Sequence, residues 1–273
     1  MKALILNKPS RIEDRPLKYK ELPEPEPEPD ELLIKVSACG VCHTDLHTVE
    51  GDITPPSYPV VPGHQVVGTV QSTGEGVSNF ASGERVGLAW LRSVCGQCTY
   101  CLSGGENLCD SIRFNGFHAN GGYAEYVTAP SDFVYRIPES FSDVKSAPLL
   151  CAGIIGYRSL GLSKAKKGDK LALYGFGASA HITIQVARYY GCEVYVFSRS
   201  EAHLKLAKEL GAVWTGFTAG NPRRAYEQLD NLRSGWRYRA GSVETYRSRW
   251  NSSHRRDTYV SDSPYQLRRA SLP

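Results

Sequence analysis

The chain has 273 residues, 41% hydrophobic side chains and a net charge of +4, which suits one large domain or two ordinary ones and argues against global disorder. Residues 1–9 lack the apolar core of a signal peptide, and no run reaches the roughly 18 apolar residues that a membrane span needs. The sequence therefore predicts a cytoplasmic protein with no membrane partner.

Short apolar or alternating runs in residues 1–150, separated by Gly, Pro and Asp, predict the strands of a small barrel or sandwich. These runs are residues 2–6, 32–38, 65–71, 85–89 and 123–128. The proline–glutamate run at residues 23–29 cannot form a helix interior and predicts an extended surface connector.

Three potential metal ligands are widely spaced along the chain. Cys42 follows a predicted strand and a glycine, His64 follows Gly63, and Cys151 lies where the sequence pattern changes. Two cysteines and one histidine suit a three-ligand zinc site whose open fourth position can bind an alcohol oxygen. Taken singly, His64 could be a loop histidine and Cys151 a buried thiol, so the interpretation depends on the set.

Four further cysteines lie within fifteen residues and suit a closed metal site. Four thiolates from one loop can fill the tetrahedral shell of Zn²⁺ and leave no position for substrate, which predicts a role in folding. An iron–sulfur cluster and unligated thiols are the alternatives, and short spacings in a cytosolic chain argue against disulfides. The cysteines are Cys95, Cys98, Cys101 and Cys109. Cys39 and Cys192 are expected to be buried thiols without a ligand role.

The pattern after Cys151 alternates between helix and strand, which predicts the first half of a doubly wound parallel sheet. The predicted helices are residues 152–160, 181–190 and 201–210, and the predicted strands are residues 170–174, 193–197 and 212–215. A glycine turn at residues 175–180 joins the first strand to the second helix.

This turn carries a dinucleotide-binding signature. Gly175, Gly177 and Ala180 form G-x-G-x-x-A between a strand and a helix, where glycines allow a pyrophosphate to approach the helix N-terminus. NAD enzymes usually have a carboxylate at the end of the next strand, but this chain has Ser198 and Arg199. A cation without a carboxylate favours a 2′-phosphate, so we expect NADP(H) in preference to NAD(H). The alternative is that Arg199 is an ordinary exposed arginine.

Residues 1 to about 218 resemble the zinc-containing medium-chain alcohol dehydrogenases of the cytosolic NADP-preferring type. The resemblance is carried by residues 39–47, 63–77, 95–109, 149–160 and 173–199. It implies a GroES-like β-barrel catalytic domain at residues 1–150 and an incomplete Rossmann domain at residues 151–221. It also implies two zinc ions per chain, one catalytic and one structural, a small primary alcohol or aldehyde as substrate, and compatibility with a homo-oligomer.

The resemblance also implies roles for single residues. Cys42, His64 and Cys151 would ligate the catalytic zinc, while Thr44 would take the alcohol proton and His47 would pass it to solvent. The four-cysteine loop would hold the structural zinc. Asp45 would bind the other nitrogen of His64, His43 would lie near the cofactor pyrophosphate, and Trp90 would line the substrate pocket.

Two positions bear on the substrate site in this chain. Ile53 occupies a position where some ethanol-using relatives have a tryptophan, which implies a wider pocket. Gln65 replaces the usual glutamate after the zinc histidine and removes a negative charge near the metal. We expect Gln65 to change the electrostatics of the metal more than the fold.

The resemblance ends near residues 218–221, where the composition changes. Residues 222–273 contain 11 Arg, no Lys and 5 acidic residues, whereas residues 1–221 contain 12 Lys and 9 Arg. This basic tail has no apolar run of four and no strand–turn–helix unit. The abrupt change favours out-of-frame translation over a disordered extension, and a nucleic-acid-binding arm is the least favoured reading. The chain is therefore expected to be a zinc alcohol dehydrogenase or a catalytically impaired zinc-binding remnant of one.

Overall fold

A computed structural model describes residues 1–217 and the two-residue strand Trp236–Arg237. The chain divides into two compact units, Met1–Cys151 and Ala152–Pro273. None of the helices in the described ranges has the length and apolar run that a bilayer crossing requires.

The first unit is built on an antiparallel five-stranded sheet in the order β8-β3-β4-β5-β9, with two smaller strand pairs, β1-β2 and β6-β7. Its strands are β1 Lys2–Leu6, β2 Leu17–Glu21, β3 Glu31–Gly40, β4 Gln65–Thr73, β5 Arg85–Leu88, β6 Leu91–Ser93, β7 Arg113–Phe114, β8 Tyr126–Pro130 and β9 Val134–Arg136. Its helices are α1 His43–Glu50, α2 Thr99–Leu102 and α3 Asp143–Ser146. Alternate residues of the long strands bury one face of the sheet, as a period of two requires. Fully buried members include Leu32, Ile34, Val66, Val86 and Leu88.

The second unit is a parallel sheet in the order β12-β11-β10-β13. Its strands are β10 Lys170–Tyr174, β11 Glu193–Ser198, β12 Trp214–Phe217 and β13 Trp236–Arg237, and its helices are α4 Ala152–Ser163, α5 Ala178–Tyr189 and α6 Glu201–Glu209. Leu171, Leu173, Val194 and Val196 are fully buried between the helices and the sheet. This arrangement confirms the predicted partial doubly wound sheet.

Three predicted elements begin two or more residues away from the position expected from the sequence. The strand predicted at residues 123–128 begins at Tyr126, because the backbone carbonyl of Tyr123 accepts a hydrogen bond from Leu4 instead of joining the main sheet. The helix predicted from residue 181 begins at Ala178, because Gly177 is already its N-cap. The third strand of the parallel sheet begins at Trp214, two residues later than predicted.

Strand β13 corrects the sequence prediction, because no strand was expected in residues 222–273. Its backbone pairs with Lys170 and Leu171 at the edge of β10, where unpaired N–H and C=O groups favour another parallel strand. The rest of the predicted basic tail lies outside the described residues.

Candidate metal centres

The first centre is organised by the start of α1. Cys42 is the N-cap residue in an extended conformation, and its backbone N–H donates to Oδ2 of Asp45 at 2.9 Å. The backbone N–H of Thr44 donates to the Cys42 sulfur at 3.2 Å. Helix capping therefore fixes the direction of the Cys42 side chain, since the N–H groups of the first turn need acceptors.

His64 is fully buried and contacts Asp45 through one ring nitrogen. Its Nδ1 lies 3.0 Å from Oδ1 of Asp45, and its Nε2 lies 3.3 Å from the sulfur of Cys42. A carboxylate at Nδ1 fixes the proton there and leaves Nε2 as a potential ligand atom. Gly63 makes the turn before His64 with φ of +98°. The turn requires glycine, because a Cβ there would collide with Tyr123.

Cys151 completes the first group at the end of the same unit. Its sulfur lies 4.0 Å from the sulfur of Cys42, and the three ligand atoms of Cys42, His64 and Cys151 all lie within 4.8 Å of one another. Two thiolates on a tetrahedral Zn²⁺ with bonds of about 2.3 Å would be about 3.8 Å apart. The donor set and its spacing therefore fit one zinc ion with a free fourth position.

The protonation of this group reflects its shared hydrogen bonds. The hydrogen bond with Cys151, helped by His64, lowers the pKa of Cys42 to about 3 against the effect of burial. The hydrogen bond with Cys42 and burial raise the pKa of Cys151. Burial alone would lower the pKa of His64, but Asp45 and Cys42 outweigh it and raise this pKa to about 9. One thiolate is thus already stabilised, and metal binding would displace the remaining protons.

The second centre is formed by the four-cysteine loop between β6 and β7. The sulfurs of Cys95, Cys98, Cys101 and Cys109 lie within 4.8 Å of one another. Backbone N–H groups donate to two of them, from Cys95 to the Cys109 sulfur at 3.3 Å and from Cys98 to the Cys95 sulfur at 3.4 Å. Such close spacing suits four thiolates around a single ion better than a cluster, which needs room for several irons and sulfides.

The surroundings of the first centre include Gln65 and Trp90. Gln65 is 3% exposed, and its side-chain amide is within hydrogen-bonding reach of Cys151, which opposes part of the rise in the pKa of that thiol. The ring of Trp90 meets His64 edge-on with centroids 4.7 Å apart. Both residues therefore border the ligand group.

The residues of the predicted proton relay lie on α1. Thr44 is half-buried at the first centre, whereas His43 and His47 are exposed. The Nδ1 of His47 lies 2.8 Å from Oδ2 of Asp52, a partner that the sequence alone did not indicate. The relay from Thr44 to His47 stays a prediction.

Apart from His43, the candidate cofactor residues lie in the second unit, next to the carboxyl ends of β10 and β11. Gly175 has φ of +82°, and a Cβ at Gly175 or Gly177 would have no neighbour within 4 Å. Gly177 is the N-cap of α5 and makes no side-chain hydrogen bond, while Ala180 lies on the buried face of the same helix. The first N–H groups of α5 therefore face an open turn that suits a phosphate.

The end of β11 carries the two residues expected to select the cofactor. Ser198 is buried, and its hydroxyl accepts a hydrogen bond from the backbone N–H of Ser200 at 3.2 Å. Arg199 is exposed. The guanidinium is therefore available to a ligand from solvent.

Comparisons with known proteins agree with this architecture. The pattern of the alcohol dehydrogenase GroES-like domain matches residues 28–139. A Mycobacterium tuberculosis protein described as "Probable alcohol dehydrogenase AdhA" is 48% identical over 81% of this chain and 66% of its own length. An alcohol dehydrogenase of Geobacillus stearothermophilus is 44% identical over 78% of this chain and 62% of its own length.

A solved structure shows the same fold. It is described as a zinc-binding dehydrogenase from Sinorhizobium meliloti 1021 bound to NADP, and it matches with a TM-score of 0.71 and 33% identity. The match covers 81% of this chain and 63% of that one. The chain thus spans slightly less than two thirds of the length of these relatives.

Proposed function

The chain belongs to the zinc-containing medium-chain alcohol dehydrogenase family, and from this premise we propose that it transfers a hydride between a small primary alcohol or its aldehyde and NADP(H). The observation that carries the proposal is the convergence of Cys42, His64 and Cys151, with Asp45 on the far side of His64. We assign the catalytic zinc to this group and the structural zinc to the four-cysteine loop.

Each bound group supplies one part of the chemistry. Zinc held by Cys42, His64 and Cys151 would act as a Lewis acid that lowers the pKa of an alcohol at its free fourth position, and the nicotinamide would exchange the hydride with the carbinol carbon. Asp45 holds the imidazole of His64 in the tautomer that leaves Nε2 free. We assign removal of the hydroxyl proton to Thr44 and its transfer to solvent to His47, whose exposed ring beside Asp52 suits that exchange.

The cofactor preference is proposed from the second unit. The turn at Gly175 and Gly177 before α5 suits the pyrophosphate, and the exposed Arg199 suits a 2′-phosphate. His43, also exposed, is assigned to the pyrophosphate. The solved relative with bound NADP supports the same choice.

The proposal is tested by assaying NADPH oxidation with a panel of aldehydes and by measuring bound zinc in the same preparation. We expect turnover and two zinc ions per chain. Cys42→Ser should lose turnover and one zinc, whereas Cys192→Ala, which removes a buried thiol from the other unit, should keep both. Turnover that persists in Cys42→Ser would contradict the assignment.

A zinc-binding remnant without catalysis is the second candidate, favoured by the change of composition at residues 222–273. Both candidates predict bound zinc, so metal analysis does not separate them. Two zinc ions per chain without NADPH oxidation for any aldehyde would select the remnant.

A further inference from the structure

The ring of Trp90 contacts His64 of the catalytic ligand group and the aromatic ring of Phe114. Its ring meets His64 edge-on at an interplanar angle of 69° and stacks on Phe114 at 16°, with centroids 4.7 Å apart in both cases. Trp90 itself is half-buried, so part of its surface stays accessible beside His64. A small displacement of this ring would change the space beside His64.

The indole N–H does not fix this ring. The Nε1 atom of Trp90 is buried and has no hydrogen-bond partner within the part of the chain that the structure describes. The ring position therefore depends on stacking and on the backbone that carries the side chain.

Asn115 holds that backbone. It is fully buried, its backbone N–H donates to the carbonyl of Trp90 at 2.9 Å, and its Nδ2 donates to the carbonyl of Ala89 at 2.8 Å. Its Oδ1 accepts from Nη1 of Arg92 at 3.1 Å. The Asn115 side chain thus contacts Ala89, directly before Trp90, and Arg92, two residues after it, and the preceding residue Phe114 is the stacking partner of Trp90.

Arg92 connects the hydrogen bonds of Asn115 to the main sheet. Its guanidinium pairs with the carboxylate of Glu31 on β3 and donates to the carbonyl of Thr128 on β8 at 2.6 Å. The side chains of Arg92 and Glu31 are only 12% and 8% exposed. Ion pairs this buried are tolerated when their hydrogen bonds are satisfied, and satisfied buried networks are rigid.

We propose that Asn115 is a positioning residue that, together with the Arg92–Glu31 pair, fixes the Trp90 ring against His64 and thereby limits the size of the substrate carbon chain. The inference rests on the proposed function, because it takes the ligand group of Cys42, His64 and Cys151 as the place where the substrate reacts. A role confined to stabilising the β6–β7 pair is the competing explanation.

The test uses Asn115→Asp, which keeps the size and the acceptor for Arg92 but puts an oxygen where Nδ2 donates to Ala89. Protein labelled with 5-fluorotryptophan gives one ¹⁹F signal for each of the four tryptophans, and Trp90→Phe assigns the signal of Trp90. We expect Zn²⁺ added to metal-free wild type to move this signal, and Asn115→Asp to move it further in the zinc-loaded protein.

Substrate choice provides the second readout. The ratio of kcat/KM for a bulky aldehyde to that for a small one should change by about tenfold in Asn115→Asp, the size of effect that one methylene group has in an apolar pocket. Trp90→Phe should change the same ratio, and the double variant should add little, because both changes act on one ring. Bound zinc should stay at two per chain.

The Trp90 signal and the substrate ratio together decide the proposal. An unchanged Trp90 signal and an unchanged substrate ratio in a folded Asn115→Asp overturn it. If that variant does not fold, Arg92→Lys, which keeps the charge opposite Glu31 and removes the Nη1 donor to Asn115, is measured in the same way. If no aldehyde is reduced by wild type, the proposed function fails, and the ¹⁹F shifts still decide whether Asn115 positions Trp90.

Discussion

Asp45 combines two tasks that usually need separate residues. Its Oδ2 accepts from the backbone of Cys42 at the start of α1, and its Oδ1 faces both His64 and the backbone N–H of Gly63. One carboxylate therefore caps the helix and orients His64, the histidine that we assign to the catalytic zinc.

Asp45→Asn should weaken zinc binding at the catalytic centre by about 10- to 100-fold, the usual cost of losing the partner of a metal-bound histidine. Competition with a chromogenic chelator measures this affinity. Asp52→Asn is the matched control, because Asp52 is exposed and contacts His47 outside the ligand group. Equal zinc affinity in Asp45→Asn and Asp52→Asn would contradict the role given to Asp45.

Arg199→Glu should reverse the cofactor preference, since a carboxylate repels the 2′-phosphate and can accept from a 2′-hydroxyl. We expect the KM for NADPH to rise and the KM for NADH to fall or stay the same. Lys208→Glu makes the same charge change at an exposed position of α6 and should leave both values unaltered. A clear preference of wild type for NADH would overturn the NADP(H) assignment.

Single residues were predictable where they belong to a local motif. The proposed ligands other than Cys151 lie in short signatures together with Asp45, whereas Cys151 was predictable only through the fold that the family resemblance implies. Two contacts were not predictable from the sequence: the hydrogen bonds of Asn115 around Trp90 and the ion pair of Arg92 with Glu31. They join residues 23 or more positions apart through sheet registers that the sequence does not specify.

The four-cysteine loop is an element with little apolar packing of its own. Leu102 is 76% exposed and Leu108 is 41% exposed, so burial contributes little to its order. If the four thiolates hold the proposed zinc ion, the metal would supply most of the stabilisation, as in small zinc domains.

Cys98→Ser should therefore lose one zinc ion and lower the Tm by at least about 5 °C, since each kcal/mol changes the Tm by about 2–4 °C in a chain of this size. Calorimetry and metal analysis measure the two effects. Ser103→Ala, in the same loop but outside the ligand set, should keep both zinc ions and nearly the wild-type Tm. An unchanged Tm after loss of this zinc would contradict a structural role.

Helix α3 is held against β5 by Asp143, and the residues after α3 lead to Cys151. Hydrogen bonds from Ser37 and then Arg85 lower the pKa of Asp143 below its usual value of 3.8. A lowered carboxyl pKa contributes stability that is present above the unfolded pKa and is lost as the pH falls through the folded one.

Asp143→Asn should therefore be less stable than wild type at pH 7, and the difference should shrink below about pH 4, where the carboxyl of the unfolded chain becomes protonated, and vanish below the lower pKa of the folded chain. Urea unfolding at pH 3 and pH 7 measures this. Asp132→Asn, at an exposed carboxyl, should show no such pH-dependent difference. A constant difference for Asp143→Asn at both pH values would exclude the ionic contribution.

Elements with strong periodicity were predictable from the sequence, and short ones were not. The buried runs of β3, β4, β10 and β11 appear close to their expected bounds. Helix α1 and strands β2, β6, β7 and β9 were not predicted, because they are short or polar and are stabilised by capping or by partners far along the chain.

At the scale of the whole molecule, the composition changes within one fold unit. The basic tail contributes a net +6, whereas residues 1–221 carry a net −2. We propose that residues 222–273 are read out of frame, because arginine without lysine replaces the mixed composition of the preceding unit.

The transcript decides this proposal. Sequencing it across the codons near residue 221 and translating the two other frames downstream of Gly220 should give a continuation with alternating strand and helix patterns. If neither frame continues in this way, the basic tail is native sequence and the out-of-frame proposal is wrong.

The strand order of the parallel sheet has a consequence for ligand binding. Strands β11 and β12 lie on one side of β10, and the later strand β13 lies on its other side. The strand order therefore reverses beside β10, which makes this place the topological switch point of the sheet. Open α/β sheets bind ligands in the crevice outside the carboxyl ends of the strands at this point. Gly175 directly follows β10, so the turn before α5 opens into that crevice. A change of nucleotide specificity should therefore be sought at the rim of this crevice, among the residues that follow β10 and β11.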